Sequence, residues 1–224
     1  MGVLVTALSL PKTSLTPRLR TTRTSLPISL VVAGRIFQVE GLRESTLYIL
    51  DIMNREIDLL EGKSESVILG GISQGMATAL WALLCSPARI KGKIGACFGM
   101  CGWLPFVNKI QELQLFEDTA TKTAKSMRSM IPANILNIIQ CEEPQASIVE
   151  VETMLSTPVL LLHGIDDAWI DVELGRQAQT CLNKVGMKVD WKEYMGTENE
   201  GHWIKEPEGF DILAQFLKTT WGEQ

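Results

Sequence analysis

The chain has 224 residues, of which 46% are hydrophobic, enough to bury the core of one domain of ordinary size. Its formal net charge of −5 argues against nucleic acid as a partner. Five cysteines without a C-x-x-C pair argue against a disulfide framework or a structural zinc site, and they favour a reducing, cytoplasmic location. No apolar run approaches the roughly 20 residues of a membrane span.

The first 40 residues differ in composition from the rest of the chain. Residues 1–39 contain five basic and no acidic residues and are rich in Ser and Thr, so the remainder holds 16 basic and 26 acidic residues. Such a composition is typical of a transit peptide, and residues 1–6 also fit the loose N-myristoylation pattern. We therefore separate an atypical basic segment, residues 1–40, from a main domain, residues 41–224. Within the segment, residues 3–10 and 28–33 each have the apolar composition of a strand.

A helix, a strand and a second helix follow one another in the first part of the main domain. Apolar residues recur at spacings of three to five over residues 42–60, which predicts an amphipathic helix that Gly62 ends. The β-branched and apolar run at residues 67–70 predicts a buried strand. A second helical stretch begins soon afterwards and covers residues 76–84.

The segment Gly71-Ile72-Ser73-Gln74-Gly75 joins this strand to the second helix. Strand, G-x-S-x-G and helix in succession are the context of a nucleophile elbow, where a serine stands on a strained turn between small residues. The first N–H groups of the helix point to the place where an oxyanion would form. Ser73 is thus a candidate nucleophile, and the alternative is an ordinary serine in a glycine-rich turn.

A second strand–loop unit and a less regular region come next. Residues 93–98 predict a strand, and the loop Gly102-Trp103-Leu104-Pro105 follows it, directly after Cys101, which we interpret as a free thiol. Residues 112–156 mix polar residues and methionines with short apolar runs. They are predicted to form one or two helices over the sheet edge. They are either an insertion beside a substrate entrance or plain helical packing.

The chain has two histidines, one at the end of an apolar run and one in a polar loop. His163 ends the apolar run at residues 159–162, so we interpret it as a packed residue at a strand end. His202 lies in a polar loop after a predicted strand at residues 189–194. That is the expected place for the general base of an α/β-hydrolase sheet, on which the order is serine, acid, histidine. The alternative for His202 is a histidine of a surface loop.

Three aspartates follow the strand that His163 ends, and one of them is expected to orient the base. Asp171 precedes a helical pattern over residues 172–185 and is predicted to be its N-cap. Asp166 and Asp167 lie nearer to the strand end, where the third member of a triad must stand. Spacing alone leaves the choice between these two open.

The remaining helices complete an alternating pattern. Gly186 ends the helix predicted for residues 172–185, and a last helix is predicted for residues 207–221. This last helix would place four apolar residues on one face: Phe210, Leu213, Phe216 and Leu217. Strands that alternate with helices predict a parallel sheet.

From about residue 39 onward, the chain resembles the acyl-protein thioesterase and lysophospholipase (phospholipase/carboxylesterase) family of α/β hydrolases. The segments that carry the resemblance are residues 70–77, 102–105, 158–167 and 201–202. The resemblance implies an α/β-hydrolase three-layer sandwich with a mostly parallel sheet. In the family the acid is the aspartate four residues after the histidine of the His-Gly strand end, which is Asp167 here. The implied triad is therefore Ser73, Asp167 and His202, with Asp166 as the fallback.

The resemblance also implies an acyl-serine reaction on a thioester or an oxyester. The backbone N–H of Gln74 would be one oxyanion donor. Three apolar residues are expected to line an acyl-chain groove, with core packing as the alternative for each: Trp103, Leu104 and Trp169. The implied substrates are S-acylated proteins, lysophospholipids or other acyl esters, with transient contact to a membrane. The reaction requires no metal and no organic cofactor.

The chain departs from the family pattern ahead of the elbow. The family supplies a second oxyanion N–H from a His-Gly loop, but no histidine precedes His163 in this sequence. We therefore expect incomplete N-terminal strands, as in a truncated or alternatively spliced member. This departure supports a second hypothesis, a catalytically impaired isoform that binds acyl chains or protein partners without turnover.

Overall fold

The computed structural model describes residues 2–9, 18–25, 35–118, 135–140 and 146–222, with side chains for 39–112, 135–140 and 146–220. Within these ranges the strands are β1 (Gly2–Ser9), β2 (Arg18–Ser25), β3 (Val67–Ile72), β4 (Ala96–Met100), β5 (Val159–Gly164) and β6 (Val189–Tyr194). The helices are α1 (Arg35–Leu59), α2 (Gln74–Cys85), α3 (Val107–Asp118), α4 (Ile148–Leu155), α5 (Val172–Val185) and α6 (Glu208–Gly222).

All six of these strands belong to one sheet, in the order β2-β1-β3-β4-β5-β6. Strands β3 to β6 are parallel to one another, whereas β1 is antiparallel to both β2 and β3. The mostly parallel sheet predicted from the alternating pattern is therefore confirmed. Because parallel strands end at the same edge of a sheet, the segments after β3, β4, β5 and β6 lie side by side.

The N-terminal strands agree with the sequence only in part. Strand β1 covers most of the predicted residues 3–10, while the predicted strand at 28–33 lies outside the described residues. Strand β2 was not predicted, because it is rich in Arg and Thr and carries no apolar run. Threonine nevertheless favours extended backbone, and β2 pairs along its whole length with β1.

Alternate residues of the parallel strands face two different hydrophobic clusters, because side chains alternate across a strand. On one face, Leu69 and Leu161 pack in the larger cluster with apolar residues of α1 to α5. On the other face, Phe98 and Leu160 pack against α6. The sheet thus lies between two helical layers, as the resemblance implied.

Helix α6 packs against the second cluster through Ile212, Leu213, Phe216 and Leu217. Three of these four are residues of the predicted apolar face, and Ile212 was not predicted. Phe210, the fourth predicted residue of that face, is 46% exposed.

Several predicted helix ends match the structure. Asp171 caps α5 by accepting a hydrogen bond from Glu173 N at 2.9 Å, and Gly186 follows that helix in the left-handed conformation. Within residues 112–156, the described parts include the end of α3 and the whole of α4. Residues 119–134 and 141–145 lie outside the description, so the insertion stays a prediction. None of the described helices is both long enough and apolar enough to cross a membrane.

Candidate active site

Ser73 stands on a strained turn between β3 and α2. Its φ of 57° and ψ of −125° are unusual for a residue with a side chain, and its N–H donates to Met100 O at 2.8 Å. A Cβ added to Gly71 would lie 2.2 Å from the backbone carbon of Gly75, so a glycine is needed where strand and helix backbones meet. Helix α2 begins at Gln74, immediately after the serine. This is the geometry of a nucleophile elbow.

The candidate acid follows strand β5, and the candidate base lies in the loop after strand β6. His202 Nδ1 lies 2.8 Å from Asp167 Oδ2, and the Asp167 side chain is completely buried. The other carboxylate oxygen, Asp167 Oδ1, accepts hydrogen bonds from the N–H groups of Trp169 and Ile170 at 2.9 Å each. These contacts fix the carboxylate toward the imidazole.

Asp166 occupies a different environment from its neighbour. Its Oδ2 accepts a hydrogen bond from Gly196 N at 2.9 Å, and the residue is exposed. Consecutive residues of a turn point in different directions, so only Asp167 of the two hydrogen-bonds to His202 in the described part of the chain. The structure thus separates two aspartates that spacing left equivalent.

Gly201 allows the loop of His202 to approach the aspartates. Its φ is 82°, and an added Cβ would lie 2.4 Å from Asp166 O. A backbone hydrogen bond from Ala168 N to Glu200 O, of 3.0 Å, joins the two loops. A side chain at position 201 would push them apart and break the alignment of His202 with Asp167.

The second ring nitrogen of His202 has no hydrogen-bond partner among the described residues, although it is buried. Ser73 and His202 lie at the same edge of the sheet, but no hydrogen bond joins their side chains. Since Nδ1 faces a carboxylate, it carries the proton, and Nε2 keeps a free lone pair. That tautomer is the one required of a general base.

Cys101 lies between these elements, directly after β4. Its Sγ is 3.6 Å from Tyr194 Oη and 3.7 Å from Trp203 O. Burial raises the pKa of the thiol and outweighs the hydrogen bonds to Gly164 and Tyr194, which lower it; the charge of Asp167 adds a smaller increase. Cys101 is thus a neutral thiol and a poor nucleophile.

The same three side chains are the candidate metal ligands in the described part of the chain. Donor atoms of Cys101, Asp167 and His202 lie within 4.8 Å of one another. A thiophilic divalent cation could be held there only if the thiol lost its proton and the cation displaced the hydrogen bond between Asp167 and His202. The existing hydrogen bonding favours an acid–base pair over a metal centre.

The three residues expected to line an acyl groove lie in different environments. Trp169 is 65% exposed, stacks on His202 with ring centroids 6.2 Å apart, and donates from Nε1 to Glu200 Oε2. Leu104 is buried in the larger core cluster, and Trp103 is half-buried beside it in the chain. Trp169 thus has the most accessible apolar surface of the three.

His163 has a contact that the sequence analysis missed. It is buried at the end of β5, as predicted, but its Nε2 lies 3.0 Å from Ile170 O and 3.4 Å from Asp167 Oδ2. The signal in the sequence is a polar residue at the end of an apolar run, four residues before the candidate acid. Spacing alone could not show that the turn folds back onto the ring.

No protein-family model matches this chain. Curated relatives do match it: acyl-protein thioesterase 1 of Gibberella zeae is 29% identical over 181 residues, which are 80% of this chain and 58% of the relative. A probable carboxylesterase SOBER1-like of Arabidopsis thaliana is 30% identical over 154 residues, 69% of this chain and 42% of the relative. These relatives support the acyl-protein thioesterase and carboxylesterase family of α/β hydrolases. The resemblance deduced from the motifs is therefore confirmed.

Solved structures of the same family share the fold. SOBER1 of Arabidopsis thaliana matches with a TM-score of 0.55 and 24% identity over 80% of this chain and 64% of that protein. Acyl-protein thioesterase 2 of Zea mays matches with a TM-score of 0.51 and 22% identity over 81% of this chain and 65% of that protein. The chain spans about half the length of the curated relatives it matches.

Proposed function

We propose that this chain is a serine hydrolase that cleaves carboxylic thioesters or oxyesters through an acyl-serine intermediate. Ser73 is the proposed nucleophile, His202 the general base and Asp167 the residue that orients the base. The observation that carries the proposal is the 2.8 Å contact between His202 Nδ1 and Asp167 Oδ2, which leaves the buried Nε2 available as an acceptor. Family membership and the strained elbow support the same assignment.

In the proposed first step, Ser73 Oγ attacks the acyl carbonyl carbon and His202 Nε2 takes the hydroxyl proton. The Asp167 carboxylate stabilises the resulting imidazolium. The bond from carbon to sulfur or oxygen then breaks, and the imidazolium returns the proton to the leaving group. Hydrogen bonds between nucleophile and base commonly tighten only in the substrate complex, so a small shift of His202 toward Ser73 is part of this step.

In the second step, water attacks the carbonyl carbon of the acyl-serine while His202 Nε2 takes a proton from the water. The bond between that carbon and Ser73 Oγ then breaks, the imidazolium returns the proton to Oγ, and the carboxylic acid leaves. The backbone N–H of Gln74, at the start of α2, is the proposed oxyanion donor. Loss of one such donor costs about 10²- to 10³-fold in rate in a serine hydrolase. A low turnover number is therefore expected if no second donor is supplied. The impaired acyl-binding isoform is the limiting case.

The proposed substrates are S-acylated proteins, lysophospholipids or related acyl esters. Two relatives are named acyl-protein thioesterase 1 and probable carboxylesterase SOBER1-like, and these names support that class. The exposed Trp169 beside His202 supplies apolar surface for an acyl chain and for transient contact with a membrane. Four buried free cysteines in the described residues support a reducing, cytoplasmic location as part of the proposal.

The test is hydrolysis of a palmitoyl-thioester reporter and of a short-chain aryl ester, together with labelling by a fluorophosphonate probe. Wild type is compared with Ser73→Ala and His202→Ala. Ser86→Ala is the matched control, because Ser86 is a buried serine at the other end of α2, bonded to Leu83 O at 2.8 Å. We expect turnover and labelling in wild type and Ser86→Ala, and neither in the other two variants.

Turnover that persists in Ser73→Ala would overturn the proposed nucleophile. A cooperatively folded wild type with no turnover and no labelling would overturn the hydrolase proposal and favour the acyl-binding alternative. Retention of a fluorescent fatty acid by that folded protein would then be measured directly.

A further inference from the structure

The chain has only two histidines, and both lie against the same carboxylate. His202 Nδ1 is 2.8 Å from Asp167 Oδ2, and His163 Nε2 is 3.4 Å from that oxygen atom on another side. The mechanism proposed above uses only His202. His163 is completely buried, so it cannot contact a substrate without a large rearrangement.

The hydrogen bonding of His163 determines which ring nitrogen carries its proton. Nε2 lies 3.0 Å from Ile170 O and near the Asp167 carboxylate, and both of these groups can only accept. Nδ1 is buried without a hydrogen-bond partner among the described residues, and it points toward Gly175. A proton on Nδ1 would therefore be unsatisfied, whereas a proton on Nε2 is accepted by Ile170 O and lies on the side of the ring that faces the Asp167 carboxylate.

Ile170 connects this ring to the acid through both of its backbone polar groups. Its N–H donates to Asp167 Oδ1 at 2.9 Å, and its carbonyl accepts from His163 Nε2. The ring is itself held by Trp191, with ring centroids 6.1 Å apart, and by the close approach of Gly175. The turn that carries Asp167 is thereby fastened to the end of β5.

We propose that His163, as a neutral Nε2–H donor to Ile170 O, is a positioning residue that fixes the Asp167 carboxylate. Its N–H also reduces the negative charge density on Asp167 Oδ2, the oxygen atom that faces His202. This inference rests on the proposed function, because it assumes that Asp167 and His202 work as the acid–base pair. It adds a role for a residue outside the triad. The N–H groups of Trp169 and Ile170 already hold Asp167 Oδ1, and His163 adds to this by holding the carbonyl of Ile170.

Several charged and titratable groups surround the two imidazole rings. Glu193 of β6 faces His163, but Arg176 of α5 pairs with it at 2.7 and 2.8 Å. Glu200 lies on the His202 side and accepts from Trp169, while Cys101 and Tyr194 face Asp167 as neutral groups. Asp167 is therefore the negative charge that both imidazoles contact directly.

The test is nitrogen-15 NMR of histidine-labelled protein between pH 5 and 8, where two histidines give two readily assigned rings. We expect His163 to show the neutral Nε2–H tautomer at pH 7 and above. In His163→Leu, which removes this N–H, we expect the Nδ1–H resonance of His202 to shift, because its hydrogen bond to a carboxylate without the neighbouring N–H becomes stronger. In His163→Gln, whose amide places an N–H near the position of Nε2, we expect a shift less than half as large.

Trp191→Phe is the structural control, because it loosens packing on the His163 ring without removing the N–H. It is expected to leave the Nδ1–H resonance of His202 in place. An Nδ1–H tautomer or an imidazolium at His163 in wild type would overturn the inference, even if His163→Leu fails to fold. An unchanged His202 Nδ1–H resonance in folded His163→Leu would also overturn it. These readouts need no turnover, so they are independent of a failure of the hydrolase proposal, which the Ser73→Ala comparison detects.

Discussion

Ala168 N donates a 3.0 Å hydrogen bond to Glu200 O, and this one backbone contact joins the loop of the candidate acid to the loop of the candidate base. Asp167 precedes the donor, and His202 follows the acceptor by two residues. The two loops come from different strands and are far apart in sequence. Their side chains meet because this contact and Gly201 set the distance between the backbones.

The choice between the adjacent aspartates gives a direct prediction. Asp167→Asn keeps the shape of the side chain but removes the charge that stabilises the imidazolium, so kcat should fall by about 10³- to 10⁴-fold. Asp166→Asn keeps an acceptor for Gly196 N and should change kcat by less than about threefold. Steady-state hydrolysis of the short-chain aryl ester by both variants decides the matter. Equal losses in the two variants would mean that Asp167 has no special role.

The strain at Ser73 predicts a trade between stability and activity. Ser73→Gly relieves a conformation that side chains rarely adopt, with φ of 57°. It should therefore be about 1 kcal/mol more stable to unfolding than Ser73→Ala, which keeps the strain. Urea denaturation of the two inactive variants measures the difference. A less stable glycine variant would show that the turn is not strained.

Burial of His163 predicts how stability depends on pH. Burial lowers the pKa of this imidazole below its ordinary value of 6.5, ahead of the opposing effects of Ile170 and Asp167. Below pH 6.5 the unfolded chain binds a proton that the folded protein does not bind, so unfolding becomes easier as the pH falls. The contribution of the neutral His163 to the free energy of unfolding is fully present above that pH. Below it, this contribution decreases by at most about 1.4 kcal/mol per pH unit.

The matched variant for this pH effect is His163→Gln, which cannot titrate. The free energy of unfolding should fall more steeply from pH 7.5 to pH 5 in wild type than in His163→Gln. Denaturation curves at four or five pH values provide the comparison. Parallel pH profiles would indicate that His163 is protonated in the folded state.

The exposed indole of Trp169 predicts selectivity for long acyl chains. Trp169→Ala removes apolar surface beside His202, so kcat/KM for a palmitoyl thioester should fall about tenfold, the equivalent of about 1.4 kcal/mol of apolar contact. The short-chain ester should change by less than about twofold. Tyr48→Ala serves as the control, because Tyr48 is an exposed aromatic residue on α1. A similar loss with both esters would instead assign Trp169 to holding His202 through Glu200.

The local features of the elbow could be predicted from the sequence. The strand at 67–72 follows from its apolar run, and the turn follows from the glycines Gly71 and Gly75 on either side of Ser73. The helix that begins at Gln74 follows from the apolar, helix-favouring residues after it. All of these signals act over a few residues. The same holds for α5, whose cap and terminal glycine stand at its two ends. Strand β2 escaped prediction because pairing with β1, not an apolar pattern, makes it a strand.

By itself, the sequence determined the family, the parallel sheet and the order of candidate nucleophile, acid and base along the chain. Spacing left Asp166 and Asp167 equivalent, and the family resemblance implied Asp167. The tertiary structure shows that Asp167 contacts His202 while Asp166 bonds to Gly196 N, and it alone shows that His163 lies against the same carboxylate. The physical reason is that the direction of a side chain on a turn depends on which backbone packs against it. That packing brings together loops far apart in the chain, and no spacing within one segment encodes it.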